Sequence, residues 1–599
     1  MAEEKWMIYG KKADFDRYSK ALGVSPILTR IMRNRDLETL DEQRSFLDTS
    51  LDKLYSPTLM KDMDKATNII VGKIDEGKSI RIIGDYDIDG ICSTYILVKG
   101  LERLGAKVSY DIPDRVKDGY GINEQIIKRA YDEGVDTIVT CDNGIAAIEQ
   151  IAYAKELGMT VIVTDHHEIP YEDDIDSVER IYRRVNADAT INPKQPDCSY
   201  PFKLLCGGGV AYKLIQNLFE LENIEDKQDR DELLDQYLEF AAIATIGDVV
   251  DLIGENRIIA AQGLNRIRNT KNVGLDKLMS ICGVNRERLS AYHIGFVVGP
   301  CLNATGRLET AKKGLALLLC DSDTEAESYA AELVELNNIR KQMTEEATEK
   351  GIMQAQEYTD DKVLVIYLSG VHESIAGIVA GRVREHYHKP VFILTDSADE
   401  GEHDMLKGSG RSIEGYNMFE ELIKCSHLLL RFGGHKMAAG LSLDKERLIE
   451  FRELINRNCT LTDDELIRKV WIDVPMPIAY ATKELVGELA VLEPFGKGNE
   501  KPVFATKNVK VKSLKIMGQN QNMCKLSVDD GSGKTVDALV FQSIFAGFME
   551  FITDKFGEEQ VRKAKMSIQN DIELSLIYYP DINEYRGLES VQIIVNNYC

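Results

Sequence analysis

The chain has 599 residues, of which 44% are hydrophobic and 29% are charged, a composition that excludes a disordered or fibrous protein. Because one hydrophobic core stops growing at about 250 to 300 residues, the length predicts several domains. The formal net charge of −25 argues against sequence-independent binding to duplex DNA, although a local basic groove stays compatible with it.

The predicted elements begin with a helical arm over residues 1–55, which we expect to pack on the first domain. Short apolar strands then alternate with amphipathic helices, and this pattern predicts an α/β domain with a mainly parallel sheet over 56–320. A charged segment with apolar residues at helical spacing predicts a long connecting helix over 321–357. A second, smaller α/β domain is predicted over 358–464, and short alternating strands predict a small β-barrel or sandwich over 465–599.

The sequence also predicts a cytoplasmic protein. Its N-terminal residues lack the apolar stretch of a signal peptide, and no run approaches the roughly 18 apolar residues of a membrane span. The eleven cysteines include no C-x-x-C pair, so the sequence indicates neither a disulfide framework nor a zinc ribbon.

Four segments of the first domain end in acidic or histidine side chains. They are Asp85-Tyr86-Asp87-Ile88-Asp89, Cys141-Asp142-Asn143-Gly144, Asp165-His166-His167-Glu168 and the pair Asp248 and Asp251. Three follow β-rich runs, and the carboxyl ends of parallel strands meet at one edge of a sheet. Like charges buried there cost free energy unless cations neutralise them. Carboxylates with imidazole and no cysteine favour Mn²⁺ or Mg²⁺ over structural zinc, and the ligands suffice for two ions.

Two motifs resemble a known metal-binding or nucleotide-binding site, but each lacks a residue that the site requires. The aspartate triplet is similar to a calcium-binding EF-hand loop, but its twelfth position is Ile96 instead of Glu. The run Gly531-Ser532-Gly533-Lys534-Thr535 is similar to a P-loop, but Val528 replaces the first glycine and β-rich runs flank it. We therefore predict a hairpin turn there, without ATP binding.

Glycine-rich segments in the second α/β domain predict a phosphate-binding surface. Their residues are Ser409, Arg411, Ser412, Gly433, Gly434 and His435. Exposed backbone N–H groups and a guanidinium fork suit phosphate oxygens. Tight turns that need glycine are the structural alternative.

The motifs DYDIDG, TCDNG, TDHHE and GDVVDL, in that order, resemble the DHH phosphoesterase superfamily, and GSGRS and RFGGH resemble its DHHA1 domain. The resemblance implies a set of six metal ligands: Asp85, Asp87, Asp89, Asp142, His166 and Asp248. It also implies that Asp165 orients this ligand set and that His167 faces the scissile phosphate.

Further segments resemble the RecJ family of exonucleases along almost the whole chain. They include Pro113-Asp114-Arg115, Gly119-Tyr120-Gly121, Gly299-Pro300 with Asn303, Gly306 and Arg307, and Leu492–Gly496 at the start of an OB-fold module. The resemblance makes Arg115, Asn303, Arg307 and His372 candidates for substrate binding. Cys301 and Ser374 depart from the family pattern, which commonly has Arg and Gly there. In the OB-fold module, Lys507, Lys510, Lys512 and Lys515 supply local positive charge for a single strand.

The resemblance implies a 5′-to-3′ exonuclease specific for single-stranded DNA. It would release 5′-mononucleotides with two Mn²⁺ or Mg²⁺ ions, act in DNA repair and recombination as a monomer, and have single-strand-binding protein and repair helicases as partners. Two alternatives stay open. One is a DHH/DHHA1 phosphodiesterase of short RNA or cyclic dinucleotides, and the other is a non-catalytic replication scaffold of the same fold.

Overall fold

The structure is a computed structural model that describes residues 4–115, 119, 121–173, 180–222, 227–397, 404–585 and 587–599. Tyr120, part of the RecJ-like motif, lies outside the described residues. The chain divides into two compact units. The first is Ser50–Arg468, and the second combines Glu4–Thr49 with Lys469–Cys599.

The strands are β1 Glu4–Ile8, β2 Ser79–Ile83, β3 Lys107–Asp111, β4 Thr137–Cys141, β5 Thr160–Thr164, β6 Tyr171–Asp173, β7 Arg180–Tyr182, β8 Ala189–Ile191, β9 Leu364–Tyr367, β10 Val391–Asp396, β11 Met405–Arg411, β12 Arg431–His435, β13 Ala438–Asp444, β14 Arg468–Ile472, β15 Val474–Pro475, β16 Phe504–Met517, β17 Met523–Asp529, β18 Thr535–Val540, β19 Glu573–Tyr585 and β20 Leu588–Tyr598.

The helices are α1 Phe15–Leu22, α2 Pro26–Asn34, α3 Leu40–Leu47, α4 Met63–Asp75, α5 Ile88–Arg103, α6 Glu124–Asp132, α7 Ile148–Glu156, α8 Gly207–Leu221, α9 Lys227–Gly247, α10 Gly254–Ile267, α11 Val273–Ile281, α12 Ala291–His293, α13 Gly299–Leu308, α14 Lys312–Leu319, α15 Asp323–Ala355, α16 Glu373–Tyr387, α17 Met418–Lys424, α18 Leu448–Asn458, α19 Lys483–Leu489, α20 Gln542–Phe556 and α21 Glu558–Lys565. Among the described residues, no helix combines the length and the apolar character that crossing a bilayer requires.

The first unit begins with a five-stranded parallel sheet in the order β3-β2-β4-β5-β8. Alternate residues of its central strands belong to different cores, because helices cover both faces. Ile82 packs in one core, whereas Ile83 packs in the other. A sheet buried on both faces needs nearly continuous apolar strands, which is why the sequence predicts this domain well.

The second part of the first unit is joined by the 33-residue helix α15, which confirms the predicted connecting helix. Beyond it lies a mixed sheet in the order β12-β13-β11-β10-β9. Only β9 and β10 are parallel within it. Helix α16 packs on β10 and β11, so it lies beside the glycine-rich strand β11.

The second unit contains a closed barrel. Strands β16, β17, β18, β20 and β19 follow one another, and β19 pairs again with β16. This closure leaves the five strands without a free edge, as in an OB-fold. The P-loop-like run joins the antiparallel strands β17 and β18, in which Asp529 is opposite Thr535, so the predicted hairpin turn is confirmed.

The prediction that the N-terminal arm, residues 1–55, packs on the first domain is wrong for Glu4–Thr49 and holds only for its end, where Leu51 and Leu54 pack on the first core. Strand β1 pairs with β14, and Leu28, Ile31 and Phe46 are buried in the same core as the barrel strands. The side chain of Asn34 donates to the carboxylate of Asp473 over 3.0 Å. The apolar face of the arm was visible in the sequence, but nothing in its pattern tells which core it covers.

Candidate metal centre and substrate cleft

The acidic segments converge because β2, β4 and β5 run parallel and end at one edge of the sheet. Asp85 and Asp87 follow β2, and Asp142 and Asp165 follow β4 and β5. The turn after β2 requires Gly90, since a Cβ there would lie 2.4 Å from the carbonyl oxygen of Asp85.

Three overlapping groups of side chains at this edge have ligand atoms within 4.8 Å of one another. They are Asp85 with Asp87 and Asp142, Asp89 with His166 and Asp248, and Asp142 with His166 and His167. His166 Nε2 lies 3.0 Å from Asp142 Oδ1, 3.5 Å from Asp89 Oδ2 and 3.8 Å from Asp248 Oδ2. All six predicted metal ligands are therefore brought together.

Asp89 is held by the beginning of α8. The backbone N–H groups of Gly207 and Gly208 each donate to its carboxylate over 2.7 Å. Glycine is required at Gly208, because a Cβ there would lie 2.5 Å from the Cβ of Ala244 and 3.3 Å from Asp89 Oδ1. The helix N-terminus thus stabilises a fully buried carboxylate.

The electrostatics of the cluster fit divalent cations. Burial, together with the charge of Asp87, raises the pKa of Asp85 well above its usual value. Burial and the charges of Asp89 and Asp87 likewise raise the pKa of Asp248 to about 8. Asp85 Oδ1 is buried and accepts no hydrogen bond from the described residues. Burial lowers the pKa of His166 to about 4, so its ring is neutral at pH 7, the form that binds metals. The donor set of hard oxygens and one imidazole suits Mn²⁺ or Mg²⁺.

Asp165 differs from the other aspartates because its carboxylate is saturated with hydrogen bonds. Its Oδ1 accepts from the backbone N–H groups of His166 and His167 and lies 2.7 Å from His167 Nδ1, while Oδ2 accepts from Ile145 N. Burial raises the pKa of Asp165. The hydrogen bond and charge of His167 lower this pKa by a larger amount, so its net value is about 2. Burial lowers the pKa of His167, and the same bond raises it to about 9. The Asp165 carboxylate therefore fixes the orientation of the His167 ring.

A cleft of about 480 Å³ opens beside the cluster, between the two α/β domains of the first unit. Its lining includes five cationic side chains, Arg115, Arg307, Lys407, Arg411 and Arg431, and one carboxylate, Glu373. Burial and the nearby charge of Arg115 lower the pKa of Arg307 to about 9. Cations held this close together favour an anionic ligand. A locally positive cleft thus exists on a chain whose net charge is −25.

Several predicted substrate-binding residues line this cleft, namely Arg115, Arg307, Ser409, Arg411 and Gly433. Gly377 explains how Arg411 and Ser409 reach it, since a Cβ at 377 would lie 2.7 Å from Arg411 Nη2 and 2.9 Å from Ser409 Oγ. Gly434 and His435 follow on the exposed part of β12.

Three other predicted substrate-binding residues have internal partners. Asn303 Oδ1 accepts a hydrogen bond from Ile88 N over 2.8 Å. Asn303 thus holds the segment Asp85–Asp89, which we call the metal loop because it carries three predicted ligands. His372 Nδ1 lies 2.7 Å from the hydroxyl of Ser374, the residue that departs from the family pattern. Ser412 is fully buried and donates to the carbonyl of Tyr416 over 2.7 Å, so the structure does not bring its hydroxyl to the cleft.

Sequence reasoning missed Tyr86, Lys407, Arg431 and the glycines at the start of α8. Tyr86 lies between two predicted ligands and lines the cleft, with the Arg115 guanidinium 4.6 Å from its ring centre. It therefore joins the metal loop to the cleft. The run Gly207-Gly208-Gly209 before an apolar helix was the available signal for an anion-binding N-terminus.

Comparisons with known proteins follow the same division of the chain. The model of the DHH family, N-terminal domain, matches residues 79–245, that of the DHHA1 domain matches 360–460, and that of the RecJ OB domain matches 472–597. The single-stranded-DNA-specific exonuclease RecJ of Salmonella typhimurium is 33% identical over 592 residues, which cover 96% of this chain and 95% of that protein. The chain belongs to the RecJ family.

Other RecJ proteins match over different shares of their length. The RecJ of Bacillus subtilis is 36% identical over 519 residues, which cover 86% of this chain but only 63% of that protein. The crystal structure of RecJ from Thermus thermophilus in complex with Mn²⁺ has a TM-score of 0.80 at 27% identity, covering 100% of this chain and 80% of that one. A second RecJ structure, bound to manganese, has a TM-score of 0.57 at 32% identity and covers 70% of this chain and 98% of that one.

Proposed function

We propose that this RecJ-family chain is a metal-dependent exonuclease specific for single-stranded DNA. The observation that carries the proposal is the contact between two features. A carboxylate and histidine cluster lies at the sheet edge, and Tyr86 joins it directly to a cleft lined by five cations. Its relatives from Bacillus subtilis and Salmonella typhimurium carry the name single-stranded-DNA-specific exonuclease.

The cofactors are divalent metal ions, Mn²⁺ or Mg²⁺, as in the RecJ structures that contain these ions. Two ions would be held by Asp85, Asp87, Asp89, Asp142, His166 and Asp248. When bound, the ions supply positive charge at the scissile phosphate and lower the pKa of an attacking water.

The protein's own groups orient the substrate and keep the ligands in place. Asp165 fixes the orientation of the His167 ring through Nδ1, and His167 faces the scissile phosphate. Arg115, Arg307 and Arg411 bind backbone phosphates, and the preorganised cations stabilise charge that develops in the transition state. The backbone N–H groups of Gly207 and Gly208 hold the Asp89 carboxylate in place.

The finer properties belong to the same proposal. The enzyme degrades the strand from its 5′ end, releases 5′-mononucleotides, prefers DNA to RNA and acts as a cytoplasmic monomer in DNA repair and recombination. The phosphates that Arg115 and Arg307 bind include the terminal 5′ phosphate. The exposed side chains of Lys507, Lys510, Lys512 and Lys515 on and near β16 support strand binding by the barrel. Single-strand-binding protein and repair helicases are its partners.

The domain boundaries that we propose are 56–320 for the DHH domain, 321–357 for the connecting helix, 358–464 for the DHHA1 domain and 465–599 for the barrel. The barrel also disfavours the two alternative functions. It matches the RecJ OB domain, whereas a phosphodiesterase of short RNA or cyclic dinucleotides lacks this module. A non-catalytic scaffold needs none of the six ligands that this chain retains.

The test is a digest of 5′-labelled and 3′-labelled single strands, of DNA and of RNA, with Mn²⁺, Mg²⁺ or chelator. We expect mononucleotides from the 5′ end of DNA, with either metal and not with chelator. Asp142→Asn should abolish the product, and Asp251→Asn, a nearby carboxylate outside the three metal-ligand groups, should not. Degradation in chelator, or by Asp142→Asn at the wild-type rate, would contradict the proposal, and degradation from the 3′ end would contradict the polarity.

A further inference from the structure

Two exposed aromatic side chains, Tyr292 and Phe296, form a stacked pair on the first unit. Tyr292 is 63% exposed and Phe296 is 68% exposed. Their ring centres lie 5.2 Å apart, with 25° between the ring planes. Single exposed apolar residues are common on protein surfaces, but two large rings that stack on each other in solvent form a flat apolar surface. We call Tyr292 and Phe296 the aromatic pair.

The aromatic pair stands on an irregular, partly buried backbone segment. Residues Ile294–Val298 form a π-helical turn between α12 and α13, and such turns are rare and frequently found at functional sites. Ile294 and Val298 are fully buried on the other side of this turn. The pair therefore projects from a segment that is anchored in the core.

The same segment packs against two of the four segments that carry predicted metal ligands. A Cβ at Gly299 would lie 2.9 Å from Ile88 Cδ1, and Ile88 stands between Asp87 and Asp89. A Cβ at Gly295 would lie 3.7 Å from Ile246 Cγ2, two residues before Asp248. The segment that carries the aromatic pair therefore packs against residues adjacent to predicted metal ligands.

The helix that follows the aromatic pair, α13, leads to the cleft. Asn303 and Arg307 on α13 follow Phe296 after seven and eleven residues, and Asn303 Oδ1 accepts a hydrogen bond from Ile88 N, between Asp87 and Asp89. Arg307 lines the cleft. At about 1.5 Å per residue, Phe296 lies roughly 16 Å along the segment from Arg307. A strand whose phosphates are bound at Arg307 can reach the pair within a few nucleotides.

We propose that the aromatic pair is a stacking platform for unpaired bases of the DNA strand that occupies the cleft. This inference rests on the proposed function and adds to it the part of the substrate that is recognised. Every base has a π-face, so stacking on tyrosine and phenylalanine is independent of sequence. In a duplex, neighbouring bases cover those faces, and pairing with the other strand holds each base in the stack. The platform therefore contributes to the preference for single strands.

The test compares wild type with the double variant Tyr292→Ala and Phe296→Ala in steady-state degradation of an oligonucleotide with Mn²⁺. We expect KM to rise about 10-fold in the double variant, with a smaller change in kcat. Single abasic residues are then placed in turn at the first eight positions of the strand. One or two of these positions should raise KM for wild type and have no further effect on the double variant, because the lost base and the lost rings act on one interaction.

The control is Tyr131→Ala, which removes a 45% exposed tyrosine from α6 and should leave KM unchanged. Phe296→Trp provides a second readout, since both tryptophans of the chain, Trp6 and Trp471, belong to the second unit. Its fluorescence should be quenched when the strand binds and not when mononucleotide is added.

The outcomes separate the platform from the proposed function. Wild-type protein that leaves the strand intact contradicts the proposed function and the platform with it. Degradation by wild type, combined with an unchanged KM in a double variant that unfolds at the wild-type temperature, overturns the platform alone. So does a double variant whose only change is in self-association, because the pair would then be an interface between copies of the chain.

Discussion

Asp142 and Asp165 are buried aspartates at neighbouring strand ends, yet their pKa values shift in opposite directions. Burial raises the pKa of both carboxyl groups. Asp142 also faces the charges of Asp89 and Asp87, which raise its pKa further. Asp165 faces His167 and backbone N–H groups, and its pKa falls to about 2. Hydrogen-bond donors of the protein therefore favour the ionised form of Asp165, whereas burial and neighbouring carboxylates disfavour the ionised form of Asp142.

Asp165→Asn tests the orienting role of this carboxylate. The amide offers one acceptor oxygen, so its NH₂ group faces a donor, either Ile145 N or the His167 ring. We expect kcat for strand degradation to fall by about 100-fold or more and the free energy of unfolding to fall by about 1–3 kcal/mol. Steady-state kinetics and urea unfolding measure the two effects.

The matched control for that variant is Asp188→Asn. Asp188 also accepts a backbone bond, from Val161 N over 2.7 Å, but it precedes β8 and so lies at the opposite edge of the sheet. This variant should lose stability and keep its kcat. Equal losses of kcat in both variants would show that Asp165 acts through stability alone.

Glu239 on α9 makes stability depend on pH. It is 6% exposed, and burial raises its pKa from 4.5 to about 7. Because the folded-state pKa is raised, the contribution to stability is complete below about pH 4.5 and is lost as the pH rises through 7. The free energy of unfolding of Glu239→Gln minus that of wild type should therefore be larger at pH 8 than at pH 5, by up to roughly 3 kcal/mol.

Urea unfolding at the two pH values measures this gain. Glu232→Gln changes an exposed glutamate on the same helix and is the control. Its free energy of unfolding should change between the two pH values by the same amount as that of wild type. If Glu239→Gln also changes by the same amount as wild type, the Glu239 carboxyl group titrates near its ordinary pKa in the folded protein.

At the scale of elements, α16 acts as a spacer for the phosphate-binding strand. Gly377 faces Arg411 and Ser409 on β11, whereas a Cβ at Gly381, one turn later, would meet nothing within 4 Å. Gly377→Ala should displace the Arg411 guanidinium and raise KM for the strand by about 10-fold. Gly381→Ala should keep KM and raise the free energy of unfolding by about 0.5–1 kcal/mol, since alanine favours a helix interior.

Both variants are measured by steady-state kinetics and urea unfolding. A normal KM in a folded Gly377→Ala protein would mean that Arg411 reaches the substrate without this close approach.

The elements that the sequence predicted well are those with strong local patterns. Strands β2, β4 and β5 are buried on both faces, so their apolar runs are unmistakable, and the acidic residues that follow them are placed by the parallel topology. The role of Asn303 was not accessible in this way. Its oxygen accepts from Ile88 N, a residue 215 positions away, and no local pattern encodes that contact.

The buried hydroxyl of Ser412 illustrates the same limit. Ser409, Arg411 and Ser412 stand within four residues of one another, but alternate residues of an extended strand face opposite sides. The sequence showed the polar composition of the segment without its register, and the register decides which side chain reaches the cleft.

At the scale of the whole molecule, the second unit combines Glu4–Thr49 with Lys469–Cys599. This division predicts which part of the chain a substitution in the N-terminal segment destabilises. Ile31 is fully buried in the core of the barrel unit. Ile31→Ala should destabilise this unit by about 2–5 kcal/mol. Hydrogen exchange should then rise in peptides from 504–517 and 573–585 and stay unchanged in peptides from 137–167.

Ile8→Ala is the control, because Ile8 on β1 is 51% exposed, and its exchange pattern should match wild type. Faster exchange in residues 137–167 of the Ile31→Ala protein would contradict the assignment of the N-terminal segment to the barrel unit.

The pairing of an early segment with a late one has a consequence for synthesis on the ribosome. About 420 residues separate Thr49 from Lys469, and translation proceeds at about 5–20 residues per second, so the segment waits roughly 20 to 80 s for its partner strands. During this time Leu28, Ile31 and Met32 have no core to enter, so their apolar side chains stay exposed on the nascent chain. The catalytic unit can finish folding while the barrel unit is still incomplete.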